Sequence, residues 1–186
     1  RAAVEEAAAI LREGGPAMRL RPPRLRSATL ILTRTPGMKE SLLEKASAAL
    51  RGRLAALSVE VAAELRVPHE VGAAAHALRA AEGGLVLLLG GSATSDRRDV
   101  APAAVEAAGG TVDRFGMPVD PGNLLFLGRL DGRPVIGAPG CARSPALNGL
   151  DWVLERVVCG VDVTGADVAA MGVGGLLKEI PSRPQP

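Results

Sequence analysis

Hydrophobic and polar positions follow two alternating periods along most of this chain, and the alternation predicts strands and helices in turn. From residue 27 onward, wholly apolar runs such as ATLILT (28–33) and GLVLLL (84–89) are typical of buried strands. Residues 38–57 and 69–81, in contrast, repeat their apolar positions at helical spacing. Such an alternation favours a largely parallel sheet that is covered by helices on both faces.

The remaining segments complete this pattern and add one antiparallel feature. Residues 123–139 hold two apolar runs around Asp131-Gly132, a dipeptide that favours a tight hairpin turn. The two periods also predict helices over 2–13, 100–108 and 146–160, and strands over 58–65 and 111–119. We therefore expect an α/β fold: a three-layer α/β/α sandwich with a mostly parallel sheet and an antiparallel hairpin at one side.

The ends of the chain differ in composition from its centre, and we divide the chain into three segments. Residues 1–26 hold the first helix and a basic connector, 27–170 form the α/β domain, and 171–186 form a linker rich in glycine and proline. The arginines of the connector (19–26) suit an anionic partner or, more commonly, a solvated linker. Because the chain starts at Arg1 and ends in a proline-rich tail, we expect a piece of a longer protein or a processed terminus.

Composition and charge exclude several classes of function. A net charge of +2, with acidic and basic residues nearly balanced and interspersed, is too small to imply a nucleic-acid partner, and 2% aromatic residues leave little for base stacking. The two cysteines form no CxxC pair and are typical of reduced thiols in a cytosolic protein. No signal peptide is visible in the given sequence, and no apolar run approaches the roughly 20 residues of a membrane span. We expect a cytoplasmic protein with no nucleic-acid or membrane partner.

A polar loop led by two glycines, GGSATSDRRD (90–99), follows the buried strand at 84–89. Ligands of open α/β sheets bind beyond the carboxyl ends of the strands, and this loop lies at such an end. Glycines let a ligand approach the main chain, hydroxyls and amides donate to phosphate, and Asp99 is able to hold a divalent cation or accept a proton. Alternatively, the segment is a capping turn before the helix at 100–108, with Asp99 as the cap.

Three further glycine-bearing loops follow predicted strands. They are TRTPGMKES (33–41), GMPVDPGN (116–123) and APGCARSPALNG (138–149). In the last of them, Arg143, Ser144 and free amides at the start of the following helix would suit an anion. Cys141 is either a reactive thiolate near a helix start or an unreactive packing residue. Four such loops at strand ends favour a ligand site over ordinary turns.

Three segments, GGSATSDRRDVAPAAVEAAGG, FGMPVDPGN and GRPVIGAPGCARSPALNG, occur in the order and spacing of a known family. Over roughly residues 27–160, a whole domain, the chain resembles the molybdopterin-binding domain of molybdenum-cofactor biosynthesis proteins, such as molybdopterin adenylyltransferases and molybdenumtransferases. The segments TRTPGMKES and VPHE (67–70) look closest to a branch in which a domain resembling molybdenum-cofactor cytidylyltransferases follows. The resemblance thus implies a covalently linked C-terminal nucleotidyltransferase domain as a partner.

The resemblance also implies which residues form the site. The pterin and its phosphate would be lined by Gly90, Gly91, Ser92, Ala93, Thr94, His69, Pro121, Gly122, Pro139, Gly140, Arg143 and Ser144. Asp99 matches the family acid near the phosphate and its Mg²⁺, and is the candidate catalytic residue and metal ligand. Two positions depart from the family pattern: His69 stands where the family has an acid, and Cys141 where it has Asn.

We expect a domain that binds molybdopterin or the molybdenum cofactor during cofactor maturation. A first alternative is an enzyme that catalyses Mg²⁺-dependent adenylyl transfer from a nucleotide, or molybdate insertion, although the carboxylate missing at His69 argues against it. A second alternative is a non-catalytic assembly or regulatory domain, and relatives of this fold often form trimers, which makes a homo-oligomer one of the expected partners. His69 is either a neutral ligand or phosphate donor, or a helix-start residue without chemistry.

Overall fold

The computed structural model describes residues 2–13, 20–175 and 177. Its helices are α1 (Ala2–Glu13), α2 (Glu40–Ala56), α3 (Val71–Arg79), α4 (Val100–Ala107), α5 (Gly149–Val158) and α6 (Gly165–Ala170). Its strands are β1 (Ser27–Arg34), β2 (Glu60–Pro68), β3 (Leu85–Leu89), β4 (Thr111–Phe115), β5 (Phe126–Leu130) and β6 (Arg133–Ala138). A short 3-10 helix, Gly140–Arg143, lies between β6 and α5.

Within the described residues, the strands form one six-stranded sheet in the order β2-β1-β3-β6-β5-β4. β1 pairs in parallel with β2 and β3, and β3 pairs in parallel with β6. β5 runs antiparallel to both of its neighbours, β6 and β4. The β5–β6 hairpin turns at Asp131 and Gly132, which adopt positive φ angles of 51° and 76°. The predicted α/β fold, with a mostly parallel sheet and an antiparallel hairpin at one side, is confirmed.

Helices cover both faces of the sheet because successive side chains of a strand point to opposite faces. In β1, Leu30 and Leu32 pack in one core cluster with residues of α2 and α5. Ile31, between them, packs in the other cluster with residues of α3 and α4. All three side chains are fully buried. Burial on both faces explains why the central strands read as uninterrupted apolar runs in the sequence.

Two predicted strand boundaries were wrong, and in both cases a turn is the reason. The strand predicted over 58–65 is β2 (Glu60–Pro68), because Ser58 takes a positive φ of 57° and Val59 N donates back to Leu54 O at the end of α2. The strand predicted over 111–119 ends at Phe115, because Gly116 takes a φ of 76°.

Helix α6 (Gly165–Ala170) was not predicted. It begins at a capping box in which Thr164 Oγ1 accepts from Asp167 N, and Asp167 Oδ2 accepts from Thr164 N. A threonine followed three residues later by an acidic side chain is a helix-start pattern that is visible in the sequence. The helix is only one and a half turns long, which leaves no apolar periodicity to reveal it.

Both ends of the domain contact its body. In the connector, the amides of Arg24 and Leu25 donate to Val158 O, 2.8 and 3.1 Å away, at the end of α5. At the other end, Asp120 N donates to Gly175 O and Leu177 N donates to Asp120 O, both at 2.8 Å. The beginning of the segment predicted as a linker therefore pairs with the loop after β4. Residues 14–19 of the predicted connector region, and 176 and 178–186 of the predicted linker, lie outside the described residues.

None of the helices in the described part of the chain has both the length and the apolar character that crossing a membrane requires.

Candidate functional site

The topology brings the predicted loops to one edge of the sheet. β1, β2, β3 and β6 are parallel, and therefore the segments that follow them, residues 35–39, 69–70, 90–99 and 139–148, emerge at the same edge. β4 runs in the direction of β6, because both are antiparallel to β5, and the loop 116–125 emerges there too. This carboxyl edge of the strands is the place where open α/β sheets bind ligands.

Gly91 presses the 90–99 loop against the end of β1. A Cβ atom at this position would lie 2.9 Å from Thr33 O and 3.1 Å from Thr35 N, so that only glycine fits without moving the backbone. The Gly91 amide donates to Thr33 Oγ1 at 2.8 Å. Thr33 itself is 1% exposed. The backbone of β1 therefore leaves room only for glycine at position 91. The Gly91 amide is hydrogen-bonded within the protein and is not a free donor for a ligand.

His69 lies between the ends of β1 and β3 and is hydrogen-bonded through both ring nitrogens. Its Nδ1 lies 2.7 Å from Thr33 Oγ1, and its Nε2 lies 2.8 Å from Ser92 Oγ. Its own amide donates to Arg34 O at 2.8 Å, which fixes the backbone at the end of β2. Burial lowers the pKa of the imidazole, and the negative charge of Asp99 opposes this effect in part. His69 thus joins the ends of β1 and β2 to the 90–99 loop, and the lowered pKa favours a neutral ring.

Asp99 precedes α4, but its side chain does not cap the helix as the sequence suggested. Its Oδ2 accepts instead from the amides of Ser95 and Asp96, at 2.8 and 3.0 Å. The carboxylate therefore points back into the 90–99 loop and closes it. This position also accounts for its electrostatic effect on His69.

The middle of the 90–99 loop offers free donors. Among the described residues, none accepts a hydrogen bond from the amides of Ser92, Ala93 or Thr94. Ser92 and Ala93 are exposed, whereas Thr94 is buried. Consecutive unpaired amides in a loop suit an anion such as a phosphate group. Arg97 and Arg98 do not add to them, because Arg97 donates to Val112 O on β4 and Arg98 pairs with Asp96.

Arg143 joins the two loops that the sequence proposed as halves of one site. Its Nη2 donates to Gly90 O at 2.6 Å, and its Nη1 lies 3.4 Å from Gly140 O. Half-burial lowers the pKa of the guanidinium through desolvation. The 90–99 loop and the 3-10 segment after β6 are therefore in direct contact, and a positive charge lies where they meet.

Arg53 on α2 holds the second loop in place, and the sequence analysis did not single it out. Its guanidinium donates to Ala142 O, Ser144 O and Ala146 O at 3.1, 2.8 and 2.9 Å. It also pairs with Asp151 on α5 at 2.7 Å, although Arg53 is only 8% exposed. In the sequence it is one arginine among several near a helix end, with no signal that its partners lie about 90 residues away along the chain.

The loop after β4 packs on the start of α5. Gly149 N donates to Pro121 O at 2.8 Å, and the Asp120–Pro121 peptide bond is cis. A Cβ on Gly122 would lie 2.5 Å from Gly149 N. The expected free amides at the start of α5 are partly occupied, because Asn148 forms a capping box there and its Oδ1 accepts from Leu150 N.

Cys141 lies on the 3-10 segment and is half-buried. Burial raises the pKa of its thiol, and the carboxylates of Asp120 and Asp151 act in the same direction, against the weaker lowering effects of a backbone hydrogen bond and of the Arg53 charge. The thiol is therefore favoured over the thiolate. Of the two alternatives that the sequence left open, this supports an unreactive packing residue.

The predicted site residues thus form one connected group and one neighbouring pair. Hydrogen bonds within the first group join Gly90, Gly91, Ser92, His69, Gly140 and Arg143. Thr94 follows in the same loop, and a Cβ on Gly90 would lie 3.5 Å from its Oγ1. Pro139 is buried beside this group, and Ser144 is exposed beyond it. The pair Pro121 and Gly122 contacts Gly149, and no hydrogen bond of the described residues joins it to the 90–99 loop. Their roles toward a ligand stay predictions.

The donor set does not fit a metal site held by the protein alone. In the part of the chain that the structure describes, no three His, Cys, Asp or Glu side chains come together as metal ligands would. Asp99, the predicted ligand, has one carboxylate oxygen engaged by two backbone amides.

Comparison with known proteins gives structural matches only. No protein-family model and no curated protein sequence matches the chain significantly. The molybdopterin biosynthesis protein MoeA from Pyrococcus horikoshii superposes with a TM-score of 0.53 at 20% identity, over 83% of this chain and 40% of that protein. MoaB from Thermus thermophilus, a molybdopterin biosynthesis enzyme, gives 0.52 at 20% identity, over 73% and 97% of the two chains.

A third match is CinA from Thermoplasma acidophilum, with a TM-score of 0.54 at 15% identity, over 72% of this chain and 98% of that one. This chain has the fold of these proteins. It spans less than half of the length of the MoeA chain that it matches. At this level of identity the matches extend to the arrangement of helices and strands and not to the residues of the site.

Proposed function

We propose that this chain binds a phosphorylated pterin, molybdopterin or the molybdenum cofactor, at the carboxyl edge of its sheet during cofactor biosynthesis. The observation that carries the proposal is the contact between Arg143 and Gly90 O, which joins the two loops whose sequences resemble the family. Two of the structural neighbours, named as molybdopterin biosynthesis proteins, support the same role. The chain would act as a module of a larger protein that includes a nucleotidyltransferase domain.

The chemistry at this edge suits an anionic group better than a metal-dependent reaction. The unpaired amides of 92–94 and the hydroxyl of Ser92 supply neutral donors, and Arg143 supplies a nearby positive charge. A phosphate bound there would receive several hydrogen bonds at once, as anions do in backbone nests. His69, at the position where the family has an acid, adds no negative charge. These features favour binding over Mg²⁺-dependent catalysis, and the catalytic role of Asp99 stays a prediction.

Direct binding tests the proposal. Anaerobically prepared molybdopterin should bind the intact chain, and Arg143→Met should weaken binding by about tenfold or more, the effect of losing one charge-assisted contact. Arg156→Met on the exposed side of α5 is the matched control, because the Arg156 side chain donates to Trp152 O of its own helix and contacts no residue of the proposed site. Wild-type protein that shows no binding at about 100 μM ligand, where a genuine site would be occupied, would contradict the proposal.

A further inference from the structure

The imidazole of His69 is held in a chain of hydrogen bonds that fixes which ring nitrogen carries the proton. Thr33 Oγ1 lies 2.7 Å from Nδ1 and accepts from Gly91 N at 2.8 Å. The same Gly91 amide lies 3.3 Å from Nδ1. On the opposite side of the ring, Ser92 Oγ lies 2.8 Å from Nε2.

Counting donors and acceptors assigns the tautomer. An amide N–H only donates, and the Gly91 amide is directed at both Thr33 Oγ1 and Nδ1. A proton on Nδ1 would face that N–H, so that Nδ1 has to be an acceptor, and Thr33 donates its own hydroxyl proton to it. The proton of the neutral ring is then on Nε2, which donates to Ser92 Oγ.

Ser92 is left with its hydroxyl proton free. Its oxygen accepts from His69, and no described residue accepts a hydrogen bond from Ser92 Oγ. Ser92 is exposed and lies beside the unpaired amides of the loop. The Ser92 hydroxyl is therefore a further donor beside the loop amides. It is oriented by His69, whose ring is held in turn by the buried Thr33.

We propose that His69 is a positioning residue whose neutral ring turns the Ser92 hydroxyl proton toward the ligand, so that the phosphate binds without a divalent cation. This inference rests on the proposed function. A carboxylate at position 69 would accept the Ser92 proton and repel a phosphate, and a cation would then be needed between the two anions. A neutral imidazole removes that repulsion and donates through the serine instead. Burial lowers the pKa of His69 and therefore also favours the neutral imidazole.

Nitrogen NMR tests the tautomer without any ligand. The chain contains two histidines, and His76 on α3 is exposed, which lets His76→Gln assign the two rings. In long-range ¹H–¹⁵N spectra at neutral pH, we expect His69 Nδ1 to resonate as an unprotonated acceptor and Nε2 as a protonated donor. Thr33→Val should disturb this pattern, and Thr33→Ser should restore it. A His69 ring protonated on Nδ1 would overturn the inference.

Binding measurements test the consequence for the ligand. We expect wild-type affinity for molybdopterin to be the same in EDTA and in Mg²⁺, and His69→Asp to bind about tenfold or more weakly in EDTA, with recovery in Mg²⁺. Thr33→Val should weaken binding, and Thr33→Ser should recover it. Wild-type binding that EDTA abolishes would overturn this inference but leave the proposed function standing. Absence of binding by wild-type protein both in EDTA and in Mg²⁺ would overturn the proposed function and this inference with it.

Discussion

At the scale of single residues, Arg53 has an influence on the site that its position on α2 does not suggest. Its buried guanidinium holds three carbonyls of the loop after β6 and pairs with Asp151. Replacing one member of a buried, hydrogen-bonded ion pair leaves the other charge without a partner. We expect Arg53→Met to lower the free energy of unfolding by about 3 kcal/mol, measured by urea denaturation.

Arg51 provides the matched comparison for this prediction. It lies on the same helix and pairs with Glu64 at 2.8 Å, but 47% of its side chain is exposed. Solvent screens such a pair, and we expect Arg51→Met to lower the free energy of unfolding by less than about 1 kcal/mol. Equal effects of the two substitutions would contradict the importance assigned to the Arg53 contacts.

His69 gives a second prediction at this scale, on its pKa. Burial lowers this pKa, and the Asp99 carboxylate raises it. Asp99→Asn removes the charge but keeps an oxygen that accepts from Ser95 and Asp96, and so we expect the pKa of His69 to fall further. An NMR titration of the His69 ring measures the change. An unchanged pKa would mean that the Asp99 charge does not act on this ring.

The lowered pKa of His69 also makes the stability of the fold depend on pH. The folded state binds the His69 proton less readily than the unfolded state, whose pKa is about 6.5. The contribution of neutral His69 to the free energy of unfolding is therefore complete at pH values above the unfolded-state pKa. It is lost as the pH falls through the lower pKa that His69 has in the folded state. The proton disfavours the folded state because it must occupy a desolvated ring.

At the scale of elements, alanine substitutions at two glycines should have opposite effects on stability. Gly122 lies in a tightly packed turn, and Gly52 lies in a helix with free space around it. Gly122 has a φ of 133°, and a Cβ there would lie 2.5 Å from Gly149 N and 2.7 Å from Gly149 Cα. Backbone atoms cannot give way as a flexible side chain does. We expect Gly122→Ala to lower the free energy of unfolding by about 2 kcal/mol or more through steric overlap and backbone strain.

Gly52, in the middle of α2, is the control for this substitution. A Cβ there would have no heavy atom within 4 Å, outside its own helix turn and chain neighbours. Because alanine favours a helix over glycine, we expect Gly52→Ala to raise the free energy of unfolding by about 0.5–1 kcal/mol. Thermal unfolding of both variants checks the pair. A stabilising Gly122→Ala would show that the turn does not pack on α5 as described.

The elements themselves were predictable from sequence where burial imposes a strict pattern. β1 and β3 lie between two layers of helices, and their uninterrupted apolar runs left no alternative. The turn at Ser58 was not predictable, because a positive φ is uncommon for a residue other than glycine. The turn at Gly116 did have a signal in the sequence, since glycine favours a positive φ and the loop 116–123 was identified, but the predicted strand was extended over it. The glycine-led loops were found by sequence, but Thr33 and Arg53 were missed because their partners are brought to them only by the folded topology.

At the scale of the whole molecule, the order of the strands decides which loops meet. The sequence predicted a parallel sheet and a hairpin, but it contains no local signal that β6 pairs with β3. That pairing sets the loop after β6 beside the loop after β3 and allows Arg143 to reach Gly90. A site assembled from sequentially distant loops is therefore a property of the sheet, and it depends on all parallel strands ending at one edge.

The same topology predicts that a bound ligand affects the two edges of the sheet differently. The opposite edge of the sheet holds the β5–β6 turn at 131–132 and the segments 108–110 and 159–163, far from the proposed site. In hydrogen exchange measured by mass spectrometry, bound molybdopterin should slow exchange in peptides covering 91–98 and 139–146. The amides of 92–94, which exchange freely because they lack protein acceptors, should show the largest change.

Peptides from the opposite edge serve as the internal control, because a ligand at the carboxyl edge leaves their hydrogen bonds and solvent access unaltered. Protection confined to the opposite edge would mean that the pterin binds elsewhere, and that the contact between Arg143 and Gly90 O serves the fold alone.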